Sequence, residues 1–445
     1  MIITKKLLFI AALFAVSFSF SQKKWTLKEA VDQALEKNIS IKQNQLSLEL
    51  SKKDVAIAKG NFLPNLNGSS SGRFNAGLSP DENGILRNTN NLNASFDLSG
   101  SGTIFNGYRN LNSYKQAQLG VASSKFDLEV IENDISLFVV NGYLNILFAK
   151  ENLEVAKVQY EISKTQVEAA VTRFKAGAIA KGDVLNAEST VANDLQNIIA
   201  QENALDIALL NLAQSLQVPV ANFDVAPIEF ETPSSTLLYS NSQGVYEKAI
   251  SNRPEIERAK IAITSADLGI EIAKGAYLPT LSYNYGLGTS YFNQFNNLLP
   301  GQKNNDFFTQ FKDRFQYGTG LSLNIPIFNR NQTKNNVAKS VINKEMSQLG
   351  LENEKIQLKQ TIEQSFLDVK SALKSYEAAR SSLKAQKEAF KNAQERYNYG
   401  AMTLFDFDLV RSRLVNAEST LIRSKYDYVF KTKVLQFYSG DLVLE

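Results

Sequence analysis

The sequence predicts a mainly α-helical chain with transmembrane β: tandem-duplicated helical hairpins plus four β-strands per chain, closing into a barrel only when several chains assemble. Three observations lead there. Motifs recur in the same order in the two halves, two proline-free stretches read as very long helices, and each half carries a pair of segments that alternate in polarity.

The duplication is legible residue by residue. Ala58-Lys59-Gly60-Asn61-Phe62-Leu63-Pro64-Asn65-Leu66 recurs as Ala273-Lys274-Gly275-Ala276-Tyr277-Leu278-Pro279-Thr280-Leu281, with six of nine positions identical. Ile104-Phe105-Asn106 recurs as Ile327-Phe328-Asn329, and Arg173-Phe174-Lys175-Ala176-Gly177-Ala178 as Arg396-Tyr397-Asn398-Tyr399-Gly400-Ala401, with Asp183 falling on Asp406. Between the first and second matches the later half is eight residues longer. An insertion there belongs in a surface loop, and Phe292 to Asp313, set against the shorter Pro80 to Asn90, is the place. The domains follow: a first repeat over 22–217, a linker over 218–244 holding three of the nine prolines, and a second repeat over 245–445.

No proline occurs from 81 to 218 or from 327 to the end, and 108–175 and 331–399 are rich in Ala, Leu, Lys, Glu and Gln. Both stretches read as unbroken helix, each about 100 Å long at 1.5 Å per residue. Ile362, Phe366, Val369, Leu373 and Tyr376 step by four and three, the spacing of a coiled-coil seam. Gly177 and Gly400 end these helices by admitting a left-handed residue, and 183–215 and 406–437 return antiparallel. Asp183 and Asp406 stand where an N-cap would begin each return helix.

Pro64 and Pro279 mark the turns where helical spacing changes to a period of two. Leu66 to Leu78, Leu92 to Leu98, Leu281 to Tyr291 and Phe315 to Ile327 alternate apolar or aromatic residues with small polar ones. Strands of a transmembrane barrel read this way. Four strands cannot close a barrel, and lipid does not tolerate an open sheet edge. Three chains would supply 12 strands and a lumen wide enough to stay open.

Composition removes most alternatives. The 445 residues include no cysteine and no histidine, so imidazole bases, thiolate nucleophiles, disulfides and Cys or His metal sites are excluded. A net charge of +3 makes no electrostatic case for nucleic acid. Gly177 to Gly182 has the spacing of a phosphate loop, but Asp183 stands where Lys is required; Gly100-Ser101-Gly102 has Phe105 where a dinucleotide fingerprint needs its third glycine. The chain is not expected to be an enzyme or to carry a cofactor. Lys5 and Lys6, the apolar run Leu7 to Val16 and Ser19-Phe20-Ser21 describe a signal peptide over 1–21.

These residues resemble the TolC-type outer-membrane efflux proteins over essentially the whole chain after the signal peptide. Carrying the likeness are Trp25-Thr26-Leu27-Lys28-Glu29-Ala30, the two Leu-Pro-x-Leu turns, and the two Arg-aromatic-x-x-Gly…Asp turns. The resemblance implies a homotrimer in the outer membrane of a Gram-negative bacterium, with a 12-stranded β-barrel in lipid and a long α-barrel in the periplasm. It implies partnership with a periplasmic adaptor protein and an inner-membrane pump or ABC exporter.

It also implies a gate at the hairpin ends, lined by acidic side chains that match Asp183 and Asp406. Where members often carry a second Asp, three residues after the one matching Asp406, this chain has Leu409, and an acid stands at Asp408 instead. By the same analogy Gly177, Ala178, Val184, Leu185, Gly400 and Phe407 would dock the adaptor, with Arg173 and Arg396 bonding turn carbonyls or joining an interface. The resemblance leaves two cargoes open: small molecules in efflux, or protein in type I secretion, which an ATP-driven exporter as partner would favour. A secreted coiled-coil adhesin or toxin accounts for the helices and the signal peptide, but not for strand pairs at matching places in both repeats.

Overall fold

The computed structural model describes residues 24–80, 84–228, 237–296 and 303–441. The predicted signal peptide lies outside these residues, as do parts of the predicted linker and of the two loops compared above. In chain order the elements are β1 (Lys24–Trp25), α1 (Leu27–Lys37), α2 (Ile39–Gly60), β2 (Asn65–Pro80), β3 (Leu86–Phe105), α3 (Arg109–Lys175) and α4 (Lys181–Ser215). There follow β4 (Asp224–Val225), α5 (Ser242–Asn252), α6 (Pro254–Lys274), β5 (Thr280–Gln294), α7 (Phe307–Asp313), β6 (Gln316–Asn324), α8 (Gln332–Asn398) and α9 (Leu404–Ser439). The predicted duplication of strand pair and helical hairpin is thus present, with two helices of 67 residues each. Among the described residues no helix is long and apolar enough to cross a membrane.

Contacts divide the chain into two units, one of Met1–Gln45, Asp127–Ile256 and Asn353–Glu445, the other of Leu46–Phe126 and Glu257–Glu352. In the first, the Thr26 hydroxyl accepts from the Glu29 amide while the Glu29 carboxylate accepts from the Thr26 amide, starting α1 with a reciprocal cap. β1 and β4 pair in parallel, Trp25 opposite Val225. The buried Tyr143 hydroxyl lies 2.9 Å from the Trp25 carbonyl and 2.7 Å from that of Ala226, and burial pushes its phenol up to about 12. Lys150 pairs with Asp224 and donates to the Val225 carbonyl. Around this clasp Val139, Val140, Ile146, Leu212 and Leu216 form the main apolar core.

The second unit is built on one antiparallel sheet in the order β2-β3-β5-β6. Its register places the alternating residues as predicted. One row across the sheet is Gly68, Leu98, Leu287 and Tyr317; the adjacent row is Asn67, Ser99, Gly286 and Gly318. Because successive side chains point to opposite faces, one face is apolar and aromatic and the other small and polar. On the polar face Ser71 bonds Ser95 and Asn75 bonds Asn91. The glycines of Gly100-Ser101-Gly102 make room for aromatic rings: a Cβ at either would strike Tyr285 or Tyr283, whose rings stack at 6.3 Å. β2 and β6 are the two edges, and among the described residues neither pairs with a strand on its outer side.

Below the sheet the two repeats touch at Gly107 and Gly275. A Cβ on either would lie against the other's carbonyl oxygen, and Gly107 also holds φ at +69°. Gly275→Val therefore forces this joint apart, at a cost of roughly 1–3 kcal/mol for overpacking. A lowered thermal midpoint in detergent is the expected reading, with Gly60→Ala, which meets nothing, as the unaffected control.

Candidate functional site

The hairpin ends, all within the first unit, gather most of the residues the sequence singles out. Each long helix stops in the same way. Gly177 and Gly400 both hold φ at +73°; the Ala178 amide donates to the Arg173 carbonyl, and the Ala401 amide to that of Arg396. A left-handed glycine bridged by this longer hydrogen bond satisfies carbonyls that the helix end would leave bare.

The return helices begin two residues earlier than predicted, at Lys181 and Leu404. This corrects the expected capping position of the two acids. Asp183 and Asp406 are not N-caps; they occupy the third helical position and reach back. The Asp183 carboxylate accepts from the Ala180 amide at 3.2 Å. Thr403 is the N-cap of α9, accepting from the Asp406 amide and donating to its carboxylate at 2.7 Å. Asp183 is half-buried and Asp406 exposed.

The repeat symmetry breaks at the arginines. Arg173 reaches across to the other hairpin, donating to the Tyr397 and Asn398 carbonyls at 3.2 Å each, with its guanidinium 4.7 Å above the Tyr397 ring. It thereby caps the end of α8. Arg396 stays local, 3.5 Å from the Ala401 carbonyl. Between the hairpins lies an apolar cluster of Ala170, Val184, Ala187, Ala393, Tyr397, Leu404 and Phe407. Phe407, only 1% exposed, stacks on Tyr397 at 4.9 Å and packs against Phe390.

Two of the residues expected on a docking surface, Val184 and Phe407, are therefore core. A short helix-end segment needs an apolar side facing its neighbour hairpin, and these residues supply it. Gly177, Ala178, Leu185 and Gly400 are exposed as expected. So are Tyr399, at 89%, and Phe405, at 77%, neither of which the sequence reading assigned a role.

A polar cluster was also missed. Arg411 of α9 is buried, contacts the Ser163 hydroxyl of α3, and lies 3.6 Å from the Asp194 carboxylate of α4 and 3.7 Å from that of Asp408. Ser163 in turn donates to Asp194. One guanidinium thus serves three helices. Removing a single member of such a buried charged group leaves the others uncompensated, at roughly 3–5 kcal/mol. Only the Asp408–Arg411 spacing on one helix could have signalled it.

Burial pushes the Asp408 carboxyl above its ordinary 3.8; Arg411 pulls it back, Asp194 adds to the rise, and a Thr190 hydrogen bond lowers it. The unfolded chain loses this proton first as pH rises. The folded tip is therefore stabilised as pH falls through the window just above 3.8, and loses that advantage as pH rises through it. Asp408→Asn should flatten this part of a thermal-midpoint-against-pH curve.

Comparison with known proteins agrees with the fold. The family profile described as "Outer membrane efflux protein" matches residues 30–217 and 245–440. "Outer membrane protein TolC" of Escherichia coli (strain K12) is 23% identical, covering 98% of this chain and 87% of that one. "Cation efflux system protein CusC" of Escherichia coli O157:H7 is 22% identical over 89% of this chain and 82% of its own. Among solved structures, the Campylobacter jejuni CmeC outer membrane channel superposes with a TM-score of 0.76 at 21% identity, over 94% of this chain and 86% of that one.

Proposed function

The chain belongs to the outer membrane efflux protein family, and on that premise we propose that three copies form one continuous duct whose gate is the pair of hairpin ends. Its place is the outer membrane and its activity is efflux. The observation that carries the assembly is the four-stranded sheet, apolar on one face, polar on the other, and unpartnered at both edges. Joining β2 of one copy to β6 of the next removes every edge, and three copies make a 12-stranded barrel with a polar bore.

Two exposed helical stripes support self-association. Leu46, Leu50 and Ile57 on α2, and Ile342, Met346 and Leu349 on α8, repeat at coiled-coil spacing and lie open in the single chain. Packed against neighbouring copies, they would bury side chains that are each more than half exposed in the single chain. Leu349→Lys, at a site 70% exposed in one chain, should shift the detergent-solubilised protein from trimer toward monomer in mass photometry, since burying the lysine forfeits roughly 2 kcal/mol per copy. An unchanged trimer would remove the α8 stripe from the interface.

At the gate, threefold symmetry turns Asp183, Asp406 and Asp408 into rings of three carboxylates, which favour cations at a constriction. Asp408 is held by Arg411, so Asp406, exposed and bonded only to its own turn, is the ring best placed to act on passing ions. The adaptor's docking surface is the exposed part of the tips: Gly177, Ala178, Leu185, Gly400, Tyr399 and Phe405. Arg173 and Arg396 hold the turns behind it. A periplasmic adaptor and an inner-membrane pump or ABC exporter complete the path, and the signal peptide over 1–21 delivers the chain. Asp406→Ala should lower cation preference in planar bilayers about fivefold, the equivalent of the ~1 kcal/mol between close unit charges in water.

A further inference from the structure

The insertion that distinguishes the second repeat is not a plain loop. After β5 passes Gly288, opposite Gln316, β6 no longer accompanies it, yet β5 runs on to Gln294. Side-chain amides take over the missing strand's hydrogen bonds. Gln310, only 4% exposed, accepts from the Phe292 amide at 3.0 Å and donates to the Phe292 carbonyl at 2.8 Å. Two residues further, Asn304 accepts from the Gln294 amide and donates to its carbonyl at 2.7 Å. The ladder continues in imitation. Such sealing is dispensable for an edge in water, which solvates free backbone groups, and necessary for one in hydrocarbon, which does not.

The side on which α7 lies points the same way. The Thr289 hydroxyl donates to the Phe311 carbonyl at 2.7 Å; the Phe311 ring sits 5.8 Å from Phe96, and Phe307 5.3 Å from Tyr291. Thr289, Tyr291 and Phe96 share the face of Leu98, Leu287 and Tyr317, the apolar one. So α7 covers the outside of the sheet and leaves the polar face open. The aromatic rings stay open on it and just after it: Phe308 is 81% exposed, Phe311 39%, and Phe315, two residues beyond the helix, 52%. Left in water, these rings would be an apolar patch without a partner; continuous with the strands' apolar face, they extend it.

We propose that α7, with the Phe315 that follows it, is an aromatic anchor that seats Phe308, Phe311 and Phe315 in outer-leaflet lipid beside the barrel wall. It binds as interfacial aromatics do, with rings at the boundary of headgroup and acyl chain. This assignment rests on the barrel reading, so its test carries a second probe for the barrel itself.

The chain has one tryptophan, Trp25. Phe308→Trp and, separately, Leu321→Trp on the apolar face of β6 add one reporter each at exposed positions. Each protein is reconstituted into phosphatidylcholine vesicles, plain or brominated on the acyl chains, and the parent's fluorescence is subtracted. The expected result is comparable quenching of both reporters by brominated lipid and little by aqueous acrylamide. If Leu321→Trp is quenched by bromine while Phe308→Trp answers only to acrylamide, the anchor is wrong and the barrel stands. If brominated lipid quenches neither, the barrel reading fails and takes the anchor with it.

Discussion

A β-strand at the edge of a sheet carries a row of amide and carbonyl groups, and hydrocarbon offers nothing to pair them with. Most of the architecture answers that constraint. β2 and β6 are left open by the described chain itself, and in the proposed assembly the symmetry follows from that strand count. Where β6 stops short, Gln310 and Asn304 stand in for it. The polar face needs no such device, because a wet bore solvates Asn, Ser and backbone alike.

The two repeats are copies in their turns and differ in what joins them. Both helices end on a glycine at φ +73°, because a left-handed residue is the cheapest way to reverse a helix. Arg173 crosses between the hairpins where its repeat counterpart Arg396 stays local, and Arg411 is buried among partners from three helices. A symmetric pair of hairpins would have no preferred mate; these unshared charges give each a fixed neighbour. Buried charge adds little net stability; what these groups add is directional contact between named residues of different helices.

What could be read from the sequence followed chemistry that acts locally. Gly177 and Gly400 punctuate helices, Pro64 and Pro279 lead into strands, and the alternation from Leu66 to Leu78 and Leu281 to Tyr291 set both faces of the sheet, because backbone geometry enforces these patterns residue by residue. The failures lie where the deciding partner is distant in sequence. Phe407 looked like surface because its cover, Tyr397 and Phe390, belongs to the preceding helix. Arg411 went unnoticed because Ser163 and Asp194 lie in the other repeat. Asp183 and Asp406 stand at the right turns but two residues inside their helices, which begin after Ala180 and after Thr403, whose hydroxyl accepts from the Asp406 amide. The Asn- and Phe-rich insertion read as loop because a strand's partner made of side chains has no periodicity to detect.

Closure by three copies is the central claim, and electron microscopy of the detergent-extracted protein tests it most directly. Particles with threefold symmetry, well over about 100 Å long as the long helices require and belted by detergent at one end, are the predicted result. A water-soluble monomer or dimer without a belt would contradict it.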